Sequence, residues 1–77
     1  MEKIEFQKLV GRRIKEIRLE KYVPQQRLAS ECDFEKGNMA RIEAGRLNIT
    51  IGTLNKVCIA LEITHYYFFD HPDFKNI

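Results

Sequence analysis

PQQRLASECDFEKGNMARIEAGRLN, residues 24–48, holds two short apolar patterns separated by a tight turn. Leu28, Ala29 and Cys32 recur at i, i+1 and i+4, the inner face of a helix covering about 25–32. Met39 and Ile42 mark the inner face of a second helix, about 35–44. Asp33 and Phe34 make the turn, with Phe34 as a plug between the helices. Pro24 suits the start of the first helix and disfavours helical geometry at Val23. Glu35 is the residue placed to cap the second helix, and Gly45 stops it. With Met39 and Ile42 turned inward, Lys36, Gly37, Asn38 and Arg41 share the outward side. The remainder of the chain reads as the scaffold that holds this pair.

Upstream, residues 4–21 read as a longer helix. Phe6, Val10, Ile14 and Ile17 form one apolar stripe, with Lys8, Arg12, Lys15 and Glu16 off it. Gly11 costs helix propensity, and its expected use is to let another helix approach closely. Arg18 directly follows core-facing Ile17, so it either snorkels to water or finds a partner, with Glu43 the candidate. Downstream, Thr50 caps a helix over about 51–61 whose inner face is Ile51, Leu54, Val57, Cys58 and Leu61. Thr64 caps a short helix, HYYFF, at 65–69. Asp70 to Ile77 is a tail containing Pro72 and Phe74. The expected architecture is all-α, a compact arrangement of five helices.

The 77 residues suit one small domain, 1–77, near the size where one core gives only a few kcal/mol of stability. Dimerisation would help a chain this short. The 44% hydrophobic content argues against disorder. Net charge is only +2, yet residues 1–48 hold eleven of the thirteen Lys and Arg. Most acids lie there too, so any binding of a polyanion must rest on placement. Cys32 and Cys58 fall inside apolar helical patterns and read as small buried core residues. With His65 and His71 the only histidines, no zinc-ligand spacing exists and no metal or other cofactor is expected. The charged start, MEKIEFQKLVG, has no apolar core of a signal peptide, and no run approaches the roughly 20 apolar residues of a membrane span. The expectation is a soluble cytoplasmic protein.

The series IRLEK, QQRLA, RIEAG and TLNKVCIALEI, in this order and spacing, resembles the Cro/C1-type helix-turn-helix family, also called XRE or phage-repressor-like. The similarity spans roughly residues 9–69, leaving a short tail at 70–77. The resemblance implies a lambda-repressor-like domain with the helix-turn-helix at helices 2 and 3, binding double-stranded operator DNA as a homodimer. By position, Lys36, Gly37, Asn38 and Arg41 match its base-facing residues. Gln25 matches a phosphate-clamping glutamine, and Asn48 a position that touches phosphate. Arg18 and Glu43 match an internal ion pair. Pro24 stands where the family usually has a capping Ser or Thr, and Tyr22 where it often has Gly. Gly37 lacks a side chain, which points to close backbone approach there.

Placed on DNA, Arg41 is suited to O6 and N7 of guanine, Lys36 to the same acceptors or a phosphate, and Asn38 to adenine or a phosphate. Gln25, Gln26, Arg27, Arg46 and Asn48 are expected on the DNA backbone, where they set register without reading sequence. HYYFF is too apolar for one short helix to bury entirely. Phe68 belongs to the core, while Tyr66, Phe69 and Phe74 are candidates for a twofold contact, unless the tail folds back over them within one subunit. The expected role is a transcription regulator of repressor type. An antitoxin, with a toxin partner, or a protein-interaction module uses the same fold and stays open. An enzyme is not expected, since no nucleophile–base pair or phosphate-binding Gly-rich loop is present.

Overall fold

The computed structural model describes residues 1–75, and every regular element among them is helical. The elements are α1 (Lys3–Glu20), α2 (Gln25–Glu31), α3 (Asn38–Glu43), α4 (Ile51–Ala60), α5 (His65–Phe69) and α6 (Pro72–Lys75). Residues 76 and 77 of the expected tail lie outside the described residues. The tail is otherwise not a loose end. It forms the sixth helix, which five-helix reasoning had missed, and delivers Phe74 into the interior.

Each of the first four helices ends the same way. The residue after the C-cap turns left-handed, and the next two backbone N–H groups reach back to the last turn. After α1, Tyr22 N–H bonds Leu19 O at 3.1 Å and Val23 N–H bonds Arg18 O at 3.0 Å. Asp33 and Phe34 do this after α2, Gly45 and Arg46 after α3, and Glu62 and Ile63 after α4. Only one of the four left-handed residues is glycine; Tyr22, Asp33 and Glu62 hold φ of 57°, 56° and 57°. Starts are set differently. Thr50 and Thr64 accept from Thr53 and Tyr67 N–H at 3.0 and 2.9 Å, capping α4 and α5 as their sequence position suggests. Pro24 is the N-cap of α2 and offers no side-chain acceptor; its carbonyl takes Arg27 and Leu28 N–H.

One core joins all six helices. Val10, Ile14 and Ile17 of α1 meet Leu28, Cys32, Met39, Ile42, Val57, Cys58, Leu61, Phe68 and Phe74. Both cysteines are free thiols buried in it, and burial pushes both thiols above their ordinary pKa. Gly11 is where α1 crosses α3. A Cβ there would sit 2.2 Å from Ile42 O and 2.8 Å from Glu43 O, so only glycine admits this approach.

Two core assignments from periodicity do not hold. Ile51, assigned to the inner face of α4, is 88% exposed, because it stands in the first turn, where no other helix covers it. Phe6 is 40% exposed and meets only the edge of the core, against Phe74 at 6.2 Å between ring centres. The buried arc of α1 is conversely wider than one stripe. It includes Gly11, Arg13 and Arg18 beside Val10, Ile14 and Ile17.

Candidate nucleic-acid interface

Helices α2 and α3, joined by the 32–37 connection, pack on each other, and a groove runs along their junction. Gln25, Gln26, Ala29 and Ser30 line one side; Lys36, Gly37 and Ala40 line the other, over a floor of Phe34 and Met39. The small side chains at Ala29, Ser30, Gly37 and Ala40 keep it open.

The third helix begins at Asn38 and not near 35. Gly37 holds φ of 85°, outside the right-handed helical region, so the helix can begin only after it. Glu35 is therefore not the cap. Gly37 is the N-cap, with no side-chain cap bond, and Glu35 carbonyl takes Asn38 N–H in the preceding turn. Lys36 and Gly37 thus sit in the approach turn instead of on the helix face. Nothing lies within 4 Å of where a Gly37 Cβ would be, so the space before it is open. Asn38 is half-buried at the first helical position, and Arg41 is exposed one turn on, its N–H on Gly37 O. No carboxylate among the described residues pairs with Lys36, Arg41 or Arg46.

Of the residues expected on the DNA backbone, Gln26, Arg27, Arg46 and Asn48 are exposed and Gln25 is half-buried. Arg27 is engaged by Glu31 at 3.0 Å across one helical turn. Arg46 and Asn48 lie in the α3–α4 connection. Gln25 is tied to the interior: its Nε2 donates to Glu43 Oε1 at 3.0 Å. Glu43 in turn accepts from Arg18 Nε at 2.7 Å and from a second guanidinium nitrogen at 3.1 Å. A third Arg18 nitrogen donates to Val23 O at 2.9 Å. One buried ion pair thereby holds the end of α1, the turn into α2, the first residue of α2 and the end of α3.

The aromatic end of the chain is divided. Tyr66 is 80% exposed and Phe69 36%, whereas Phe74 is 9% exposed. Phe74 packs within the subunit against Phe69 at 5.1 Å and Phe68 at 6.2 Å between ring centres. Phe74 therefore packs as in the alternative in which the tail folds back within one subunit. Beside Phe69 lies an apolar pocket of about 80 Å³ whose wall includes Phe6, Leu47, Ile49, Ile51 and Leu54. Ile51 and Phe6 are the exposed apolar residues that sequence reasoning had put inside.

Arg13 is the residue that reading missed. It is 7% exposed and donates to Phe68 O and Tyr67 O, both at 2.8 Å. It also pairs with Glu16, and its guanidinium lies 5.3 Å from the centre of the Tyr67 ring. It thus satisfies Phe68 O at the end of α5 and adds a second donor to Tyr67 O, which also takes Asp70 N–H at 3.3 Å. The available signal was its spacing: three residues after Val10 and four before Ile17, it falls inside the wider buried arc.

Comparison with known proteins points one way. Residues 13–65 match the family described as the Cro/C1-type HTH DNA-binding domain. The chain is 34% identical over 56 residues to the control protein C.BamHI of Bacillus amyloliquefaciens, covering 71% of this chain and 69% of that protein. It superposes with a TM-score of 0.75 and 34% identity on the restriction-modification controller protein C.Esp1396I, solved as a tetramer with its natural 35 base-pair operator. That match covers 80% of this chain and 82% of the other. The wild-type structure of the same controller protein matches with the same score and coverage.

Proposed function

Because the chain belongs to the Cro/C1-type helix-turn-helix family of DNA-binding domains, we propose that it is a sequence-specific transcription regulator of repressor type that holds an inverted-repeat operator as a homodimer. The observation that carries this reading is the α2–α3 groove, walled by Lys36 and an open Gly37, with Arg41 exposed one turn into α3 and neither cation held by an acid among the described residues.

Arg41 donates two hydrogen bonds to O6 and N7 of a guanine. Lys36 reaches the same acceptors or a phosphate, and Asn38 an adenine edge. Gly37 lets the backbone close on the groove floor. Gln25, Gln26, Arg27, Arg46 and Asn48 hold the phosphates on either side and set register. Arg27 must leave Glu31 to do so, a small loss for an exposed pair. Each protomer neutralises a handful of phosphates, so affinity falls steeply with salt. The twofold contact uses Tyr66 and Phe69 together with Ile51 and Phe6, and the dimer reads half-sites about 10 base pairs apart.

The likeness to two controller proteins favours a control role in a restriction–modification system over an antitoxin role. We place this work in the cytoplasm and assign the chain no catalytic step; no helix among the described residues is long and apolar enough to cross a membrane. The test is selection of binding sites from a random duplex library, with Arg41→Ala run in parallel. Enrichment of an inverted repeat that the variant loses is the expected result. Failure to enrich any sequence, even at low salt, would move the chain to the protein-interaction class.

A further inference from the structure

We infer that Tyr22 is a further DNA contact of this chain, its phenol hydroxyl donating to a backbone phosphate beside the α2–α3 groove. The inference rests on the DNA-binding reading above and adds a residue that the helix-turn-helix residues proper do not include.

Three observations meet at this position. First, Tyr22 is 91% exposed, so its ring does no packing work in the subunit. Second, its backbone holds φ of 57° at a helix end where glycine bears no steric cost. A bulky aromatic is therefore kept in a disfavoured conformation with no return inside the fold. Strained positions of this kind cluster where a side chain is used outside the fold.

Third, the turn that presents it is held by hydrogen bonds and leads directly into α2, whose first residue lines the groove. Tyr22 N–H is bound to Leu19 O and Val23 N–H to Arg18 O. Val23 O is bound by Arg18, which also grips Glu43, and Glu43 grips Gln25. Gln25 lines the groove, so the corner carrying Tyr22 is braced by the same network that places the groove wall. Tyrosine hydroxyls serve as phosphate donors at DNA interfaces, and a fixed turn costs little ordering entropy on binding. Lys21 beside it and Lys36 on the groove wall are both exposed, and the nearest acid in sequence, Glu20, already accepts from Tyr67 at 3.4 Å.

Glu62 provides an internal control. It holds the same left-handed position after α4, at φ of 57°, and is exposed, but its turn leads into α5, no residue of which lines the groove. The experiment measures thermal unfolding and duplex binding for the full chain and for Tyr22→Gly, Tyr22→Phe and Glu62→Gly. The probes are the library-selected duplex and a random-sequence duplex, each at low salt. Tyr22→Gly and Glu62→Gly should both melt higher than the parent. Tyr22→Gly should bind both duplexes about tenfold more weakly per protomer, the size expected for one hydrogen bond to a charged group. Tyr22→Phe should reproduce that loss, and Glu62→Gly should bind as the parent does. Parental binding by Tyr22→Gly or by Tyr22→Phe overturns the inference, as does a loss confined to the selected duplex. A parent chain that binds neither duplex overturns the DNA-binding reading itself, a result distinct from either of these.

Discussion

Glu43 is the residue on which the largest single energetic consequence rests. Its side chain is 4% exposed, Arg18 is 8% exposed, and their two bonds leave neither charge facing water. A buried pair of this kind adds little net stability over an apolar replacement, but removing one partner strands the other. Glu43→Ala should lower unfolding free energy by about 3–5 kcal/mol in urea titration. Arg18→Met with Glu43→Leu should recover much of it, and a double-mutant cycle without coupling would dispose of the pairing energy. Arg41 sits at the other extreme: exposed and without an acidic partner, it contributes nothing visible to the fold. Arg41→Ala should leave the melting temperature within experimental scatter while reducing discrimination between the selected and a mismatched duplex by about 1–3 kcal/mol. An unfolded Arg41→Ala protein would place the residue on the wrong face of α3. The position of Arg18 beside Ile17 marked it as snorkelling or paired, and the family resemblance supplied Glu43 as the partner the structure shows. Arg13 was not legible in that way, because its partners are the carbonyls of Tyr67 and Phe68, and carbonyls carry no sequence identity.

At the scale of elements, helices as short as α2 and α3 do not persist alone in water. They exist here because each packs on other helices, α3 on α1 and α2, and α2 on α3 and α4. The α1–α3 contact is close at Gly11, where the two nearest neighbours of the missing Cβ are backbone oxygens of α3. Gly11→Ala should improve helix propensity by about 1 kcal/mol and still lose. The expected balance is a net destabilisation of about 1–3 kcal/mol, read by thermal or urea unfolding, since backbone cannot swing aside as a side chain can. A neutral or stabilised Gly11→Ala variant would show that α1 and α3 are further apart than this. The two threonine caps were readable from sequence, because a hydroxyl before an apolar run has one common use. The start of α3 was not readable from Glu35, because the left-handed geometry of Gly37 overrides the preference of an upstream acid. The expectation that Gly11 serves close approach did hold, and the structure names the partner.

For the whole molecule, Phe6, Ile51, Tyr66 and Phe69 are the exposed apolar residues on which the proposed twofold contact is built. Phe74 turns inward within the subunit, whereas Ile51 stands exposed. Ile51 is nearly free of contacts within the subunit, so a charge there should not disturb folding. Ile51→Glu should keep the parental melting profile, sediment as a monomer at concentrations where the parent is dimeric, and bind an inverted repeat at least about tenfold more weakly. Unchanged sedimentation would move the twofold contact to another face. Such a contact is hard to read from one chain, because a residue at an interface and a residue in a core have the same composition and often the same periodicity.

By itself, the sequence determined the number and order of the first five helices, the turn between α2 and α3, the caps at Thr50 and Thr64, and most of the core. These follow from spacing, from capping chemistry and from the need to bury apolar stripes, all of which are local. Tertiary structure alone decided the rest. It put Gln25 on Glu43, Arg13 on the end of α5, Phe74 in the core and Ile51 outside it. Each of these depends on which surfaces meet across the fold, and helical periodicity states only that a face is apolar, not which neighbour arrives to cover it.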